Sequence, residues 1–152
     1  MSNNMSGFHG LINIFAKEVG DASKITFIGS PGMCTPFAEL MACGVQDKEA
    51  HFIPLLNIDD AHQFEPKSYG LALGEEVSDP HDSDIVVILG GVSMPEFNVD
   101  VNELNDFVGQ ILNDDGKIIG VCFMDMFTEA GWLDKVDFDC VIDGTLISMV
   151  KR

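Results

Sequence analysis

The sequence predicts an α/β fold, a three-layer sandwich in which helices cover both faces of a mostly parallel five-stranded sheet. Two observations carry that expectation. Short β-branched runs alternate along the chain with stretches of helical period, the pattern of βαβ units joined by right-handed crossovers. Two of those runs, DIVVILGG (84–91) and KIIGVCF (117–123), are apolar without interruption, as strands buried on both faces are. The length of 152 residues fits a single domain spanning 1–152. A chain of this size buries roughly 70% of its unfolded surface and needs no disulfide or metal staple.

Each element follows from local chemistry. Phe8, Leu11, Ile12, Phe15, Ala16 and Val19 form a helical stripe, with Ser6 placed to cap its start and Gly20 to end it. KITFIG (24–29) reads as the first strand. Thr35 as N-cap, Pro36 at the first helical position and Gly44 beyond the end punctuate a short helix over PFAELMACG. AHFIPLL (50–56) reads as a second strand, and Pro54 within it points to a sheet edge. DIVVILGG is the third strand. Val101, Leu104, Phe107, Val108, Ile111 and Leu112 form the next helical stripe, preceded by Asp100 and Glu103 at capping-box spacing. KIIGVCF is the fourth strand, followed by a short helix through Met126–Leu133. DFDCVID (137–143) alternates Phe138, Cys140 and Ile142 with aspartates, which suits a half-exposed strand at the opposite edge. The segment Asn57–Ser83 is too long for a structureless loop and holds either a hidden element or a lid.

Doubly buried third and fourth strands, with the second and fifth at the edges, select the flavodoxin-like order 2-1-3-4-5 within the Rossmann-like class. The dinucleotide-domain order would expose the most apolar strand.

Charge and cysteine usage narrow the function classes. Lys and Arg number 8 against 25 Asp and Glu, a formal charge of −17. Such a surface repels phosphate backbones and anionic lipid, so neither nucleic acid nor membrane is an expected partner. The chain carries no 18-residue apolar run, and MSNNMSGFHG lacks the regions of a signal peptide. Cys34, Cys43, Cys122 and Cys140 show neither zinc nor disulfide-scaffold spacing, which points to a reducing cytoplasm.

The fold places the site. In open parallel sheets ligands bind outside the carboxyl ends of the strands, where the order reverses. Here that crevice falls between the first and third strands, with GSPGMCTPF (29–37) and GGVSMPE (90–96) as walls and FMDMF (123–127) bordering. The candidate ligand-binding residues are therefore Ser30, Gly32, Met33, Cys34, Thr35, Gly91, Ser93 and Met94. Gly29 and Gly32 allow close backbone approach, and amides at a helix start favour an anion, with Ser30 and Thr35 as hydroxyl donors. The same residues would also serve a tight turn with no ligand. Neither GxGxxG nor a Walker lysine is present, so no cofactor is indicated.

Cys34, ahead of a helix, and Asp125, directly after the fourth strand, are the weak catalytic candidates, although Asp125 serves equally as a helix cap. Met33, Met94, Met124 and Met126 fall in the rim loops, where they fill gaps, line an adaptable apolar pocket or hold a soft metal. DPHDSD (79–84) precedes its strand and reads as a solvated turn rather than a metal site.

At GSPGMCTPF and ILGGVSMPE the chain resembles an uncharacterised family of conserved archaeal proteins, typical of methanogens and defined as a domain of unknown function. The resemblance runs from the first strand to the last. It implies a Rossmann-like domain in an archaeal cytoplasm and brings no catalytic residues. The chain lacks the Ser/Thr-rich phosphate loop of flavodoxins and the acidic cluster of response-regulator receivers, so neither flavin binding nor phosphorelay is expected. Three functions stay open: a binding domain for a small anionic or nucleotide-like metabolite, an enzyme using Cys34 or Asp125, and an oligomerising module such as a homodimer.

Overall fold

The computed structural model describes residues 5–152; residues 1–4, part of the segment read above as carrying no signal peptide, lie outside them. Four helices are described, α1 (Gly7–Val19), α2 (Cys34–Cys43), α3 (Val101–Ile111) and α4 (Met126–Ala130). The strands are β1 (Lys24–Gly29), β2 (Glu49–Pro54), β3 (His62–Lys67), β4 (Gly70–Val77), β5 (Ser83–Leu89), β6 (Leu112–Phe123) and β7 (Cys140–Gly144). They form one mixed sheet in the order β4-β3-β2-β1-β5-β6-β7.

β2, β1, β5, β6 and β7 are parallel, so the five strands expected from the sequence take the order 2-1-3-4-5. The expectation of a mostly parallel five-stranded sheet is corrected to a mixed sheet of seven strands. The two additional strands form an antiparallel hairpin inside the segment Asn57–Ser83. Its turn, Ser68–Tyr69, lacks the Asn-Gly signature of tight hairpins, and Gly70 carries the positive φ of 129°.

β2 is therefore not an edge strand. β3 pairs with it only at His51 and Phe52, and Pro54 lies beyond that pairing, where its missing N–H leaves no ladder bond broken. Pro66 of β3 likewise faces only β4.

The sheet is packed on both faces. Phe15 of α1, Ala38 and Met41 of α2, and Ile25, Phe27, Ile85 and Val87 form one cluster. Phe64 of the hairpin joins it, its ring edge-on to Phe27 at 6.1 Å. Leu104, Val108 and Ile111 of α3, spaced i, i+4 and i+7, meet Ile28, Val86 and Ile88 on the other face. Every residue from Ile85 to Leu89 is buried, so β5 is the doubly covered strand its composition predicts. Burying each large side chain there contributes about 1.5–3 kcal/mol.

The cap of α3 is as expected, Asp100 accepting from the N–H groups of Asn102 and Glu103. That of α2 is not. The Cys34 N–H already donates to the Ser30 carbonyl, so the turn winds before Thr35 and the N-cap is Met33. Pro36 stands third in the helix, where an amide would still lack an intrahelical partner. β7 is an edge as expected, but it begins at Cys140. Phe138 lies in the turn before it and packs 4.9 Å from Phe127, on the opposite face from Cys140 and Ile142.

Candidate binding groove at the carboxyl ends of the strands

The strand order reverses between β1 and β5, and the chain leaving each strand meets the other at once. After β1, Ser30 is fully buried and its hydroxyl lies 3.1 Å from the Cys34 thiol. After β5 a short 3-10 turn, Gly90–Ser93, brings Gly91 against this pair. A Cβ on Gly91 would stand 2.5 Å from both Cys34 Sγ and Ser30 Oγ. The crevice floor is therefore closed by packing, and Ser93 closes the turn by donating to the Gly90 carbonyl at 2.7 Å.

The loop after β6 turns sharply. Met124 and Asp125 both adopt positive φ, 55° and 61°, which is uncommon for a methionine. The Gly144 carbonyl, accepting from the Met124 N–H at 2.9 Å, and Asp143, accepting from the Asp125 N–H at 3.0 Å, hold them there. The effect is to throw the Met124 side chain outward, where it is 55% exposed.

Above the closed floor lies an apolar recess of about 60 Å³, walled by Met33, Cys34, Phe37, Leu89, Gly91, Met94, Phe123 and Met126 among others. It shares Met33, Phe37, Phe123 and Met126 with a groove of about 740 Å³. The groove runs from Met5, Phe8 and Leu11 at the start of α1 to Ile142 and Asp143 of β7 and to Leu146 beyond it. Its polar lining is sparse, with Ser6, Asp143 and Thr145 supplying the side chains.

The structure thus brings four of the eight candidate binding residues, Met33, Cys34, Gly91 and Met94, to one wall. Ser30 lies behind that wall, Gly32 points to open space with φ 85°, and Thr35 and Ser93 line neither the recess nor the groove. Asp125 is exposed at the N-cap position of α4, makes no cap bond, and lies off the lining. The walls from α1 and from the chain after β7 were absent from the sequence reading. The only signal for them was Phe8, an apolar residue at the outer end of the α1 stripe, and the apolar run after Gly144.

Other reactive groups lie elsewhere. Burial pushes the Cys122 thiol up to about 11, and it pushes Cys140 up to about 11 as well, so both are poor nucleophiles. His51 is buried at the amino end of the sheet between Ser78 and Glu49, each 2.7 Å away. The DPHDSD segment also sits at that end. Its Asp84 accepts from the N–H groups of Ser23 and Lys24, and its Asp79 pairs with His81. Among the described residues no cluster of His, Cys, Asp and Glu has the makings of a metal site.

A family model described as an uncharacterized protein conserved in archaea (DUF2124) matches residues 6–147. The chain belongs to that family. The DUF2124 match takes in the recess and all but Met5 of the groove lining. An uncharacterized protein of Methanothermobacter thermautotrophicus is 42% identical over 141 residues, 93% of this chain and 91% of its own length. An uncharacterized protein of Methanocaldococcus jannaschii is 34% identical over 141 residues, 91% of this chain and 86% of its own. The crystal structure of a protein of unknown function from Methanothermobacter thermautotrophicus superposes with a TM-score of 0.92 at 40% identity, covering 100% of this chain and 97% of its own. None of these descriptions carries an activity, so the DUF2124 site is read from its own chemistry.

Proposed function

We propose that this protein binds a small molecule with a largely apolar body in the groove at the carboxyl ends of its parallel strands. The observation that carries the reading is the groove itself. Its volume of about 740 Å³ lies inside the range of small-molecule sites, and seven of its sixteen lining residues are methionine or phenylalanine. Unbranched methionine side chains adapt to an aromatic or aliphatic surface at little cost. The parallel strands follow the flavodoxin-like order; the small recess lies over the β1–β5 reversal, and the groove extends from it toward the ends of β6 and β7 and the start of α1.

The anionic ligand expected from the first loop is less well served, because the Ser30 hydroxyl is buried and spent on Cys34. No carboxylate, imidazole or ammonium lines the recess beside Cys34, which favours binding over nucleophilic catalysis. In this reading the chain acts as a single domain in the cytoplasm, in keeping with its four free cysteines. No described helix is long and apolar enough to cross a membrane.

A thermal-shift scan against aromatic carboxylates, flavins, nucleotides, fatty acids and inorganic phosphate tests it. A ligand at a hundred times its dissociation constant adds about 2.7 kcal/mol. At roughly 2–4 °C per kcal/mol, that is a shift of several degrees. Aromatic or aliphatic compounds should raise the midpoint and phosphate should not. Met33→Asp, at a side chain already 64% exposed, should abolish the response without cost to the fold. A midpoint that no apolar compound moves, or a response that Met33→Asp leaves intact, would sink the reading.

A further inference from the structure

The apolar surface of the molecule is gathered at one end. Of the eleven large hydrophobic side chains exposed among the described residues, eight belong either to the groove or to the chain that leaves it after Gly144. Ile147, Met149 and Val150 are 79%, 71% and 80% exposed. Large apolar side chains exposed together in this way mark a surface that contacts another molecule.

The segment 145–152, TLISMVKR, has the opposite charge to the rest of the chain. It carries Lys151 and Arg152 and no acid, a charge of +2, so residues 1–144 carry 6 of the 8 basic residues against all 25 acids, or −19. The segment forms no helix or strand, and its recorded hydrogen bond runs from the Leu146 N–H to Met124 Sδ at 3.5 Å. Leu146 still touches the groove; the residues after it lead away. The relative of known structure aligns over the whole of this chain, this segment included.

We propose that two copies of this protein pair about a two-fold axis, the C-terminal segment of each covering the groove mouth of the other. One chain thus supplies both an apolar groove without a cover and an apolar segment without a seat. The segment starts at the groove, where Thr145 and Leu146 line it, so a single two-fold contact can bury both sets at once. The basic tip of the segment meets the acidic body of the partner, where Asp143 lines the groove. That attraction orients the segment, while the apolar side chains at its centre hold it. The outer edge of β7, unpaired among the described residues, is continuous with this surface. The proposal rests on the groove reading and adds that the partner completes the wall of the site.

Sedimentation equilibrium of the full chain tests it without any ligand. The mass should be twice the 16.6 kDa of one chain. Ile147→Asp combined with Val150→Asp, both at exposed positions, should restore the single-chain mass with an unchanged circular-dichroism spectrum. Phe8→Asp, from the groove side, should do the same. A single-chain mass for the unaltered protein overturns the proposal, as does a dimer that the paired aspartates leave intact. A monomer whose midpoint an apolar compound still raises overturns the dimer alone; a tail-dependent dimer with no such response overturns the ligand alone.

Discussion

Gly91 stands where three elements converge, and its missing side chain is what lets them meet. A methyl group there would stand 2.5 Å from both Cys34 Sγ and Ser30 Oγ, so the buried pair would have to shift. Gly91→Ala should therefore lower stability by about 1–3 kcal/mol, read as a lower midpoint in urea with an unchanged slope. His51 supports a second prediction. Burial holds its imidazole below the usual histidine range, outweighing the pull of Glu49 toward the charged form. The unfolded chain takes up the proton first, near pH ~6.5. Stability from the neutral ring is then complete above that pH and is lost as pH falls toward the lower folded value. Glu49, held below its ordinary value by the hydrogen bond from His51, adds a loss of the same sign at lower pH. The thermal midpoint should fall as pH drops below ~6.5, and His51→Gln should flatten that slope. An equal slope in the variant would assign the effect elsewhere.

Among the elements, those with strong periodicity were legible and those set by neighbours were not. β1 has the bounds its sequence predicts, and α3 has its predicted acidic cap, because each depends on a pattern contained within a few residues. The hairpin of β3 and β4 was hidden because Pro66 and a turn without Asn-Gly removed the usual local signals. Pro54 misled for a related reason: it reports that β2 has no partner on its β3 side at that residue, not that none pairs there along the rest of β2. The strand order made legible which residues line the recess over the β1–β5 reversal, among them Met33, Cys34, Gly91 and Met94. Ser30 went wrong because whether a hydroxyl faces solvent or a neighbouring thiol depends on a turn more than fifty residues away. The DPHDSD turn has more structure than its composition suggests. Asp84 ties the start of β1 to Asn113 ahead of the regular part of β6, accepting at 2.9, 3.0 and 2.7 Å. The backbone N–H of Ser23, then that of Lys24, hold its carboxyl below the ordinary value. Asp84→Ala should cost about 1–3 kcal/mol, toward the low end because the site is partly open to water. Hydrogen exchange should locate the loss at the amides of Ser23 and Lys24; protection retained there would contradict the assignment.

On the scale of the whole molecule, charge and shape divide the work. The chain carries a formal charge of −17, while eight of the eleven large apolar side chains exposed among the described residues belong to the groove or to the chain after Gly144. The sheet behind that groove is closed by its central pair, in which Ile25 to Ile28 of β1 lie alongside Ile85 to Ile88 of β5. The partners are sixty positions apart in every case. A ribosome must therefore have passed Ser83, more than half of the 152 codons, before the inner edge of β1 has anything to pair with. Until then Ile25, Phe27 and Ile28 lack the strand that buries them, and β2 and the hairpin beyond it can assemble on one side only. The molecule is thus completed from its middle and late in synthesis, and the nascent first half is the form most in need of protection from its neighbours.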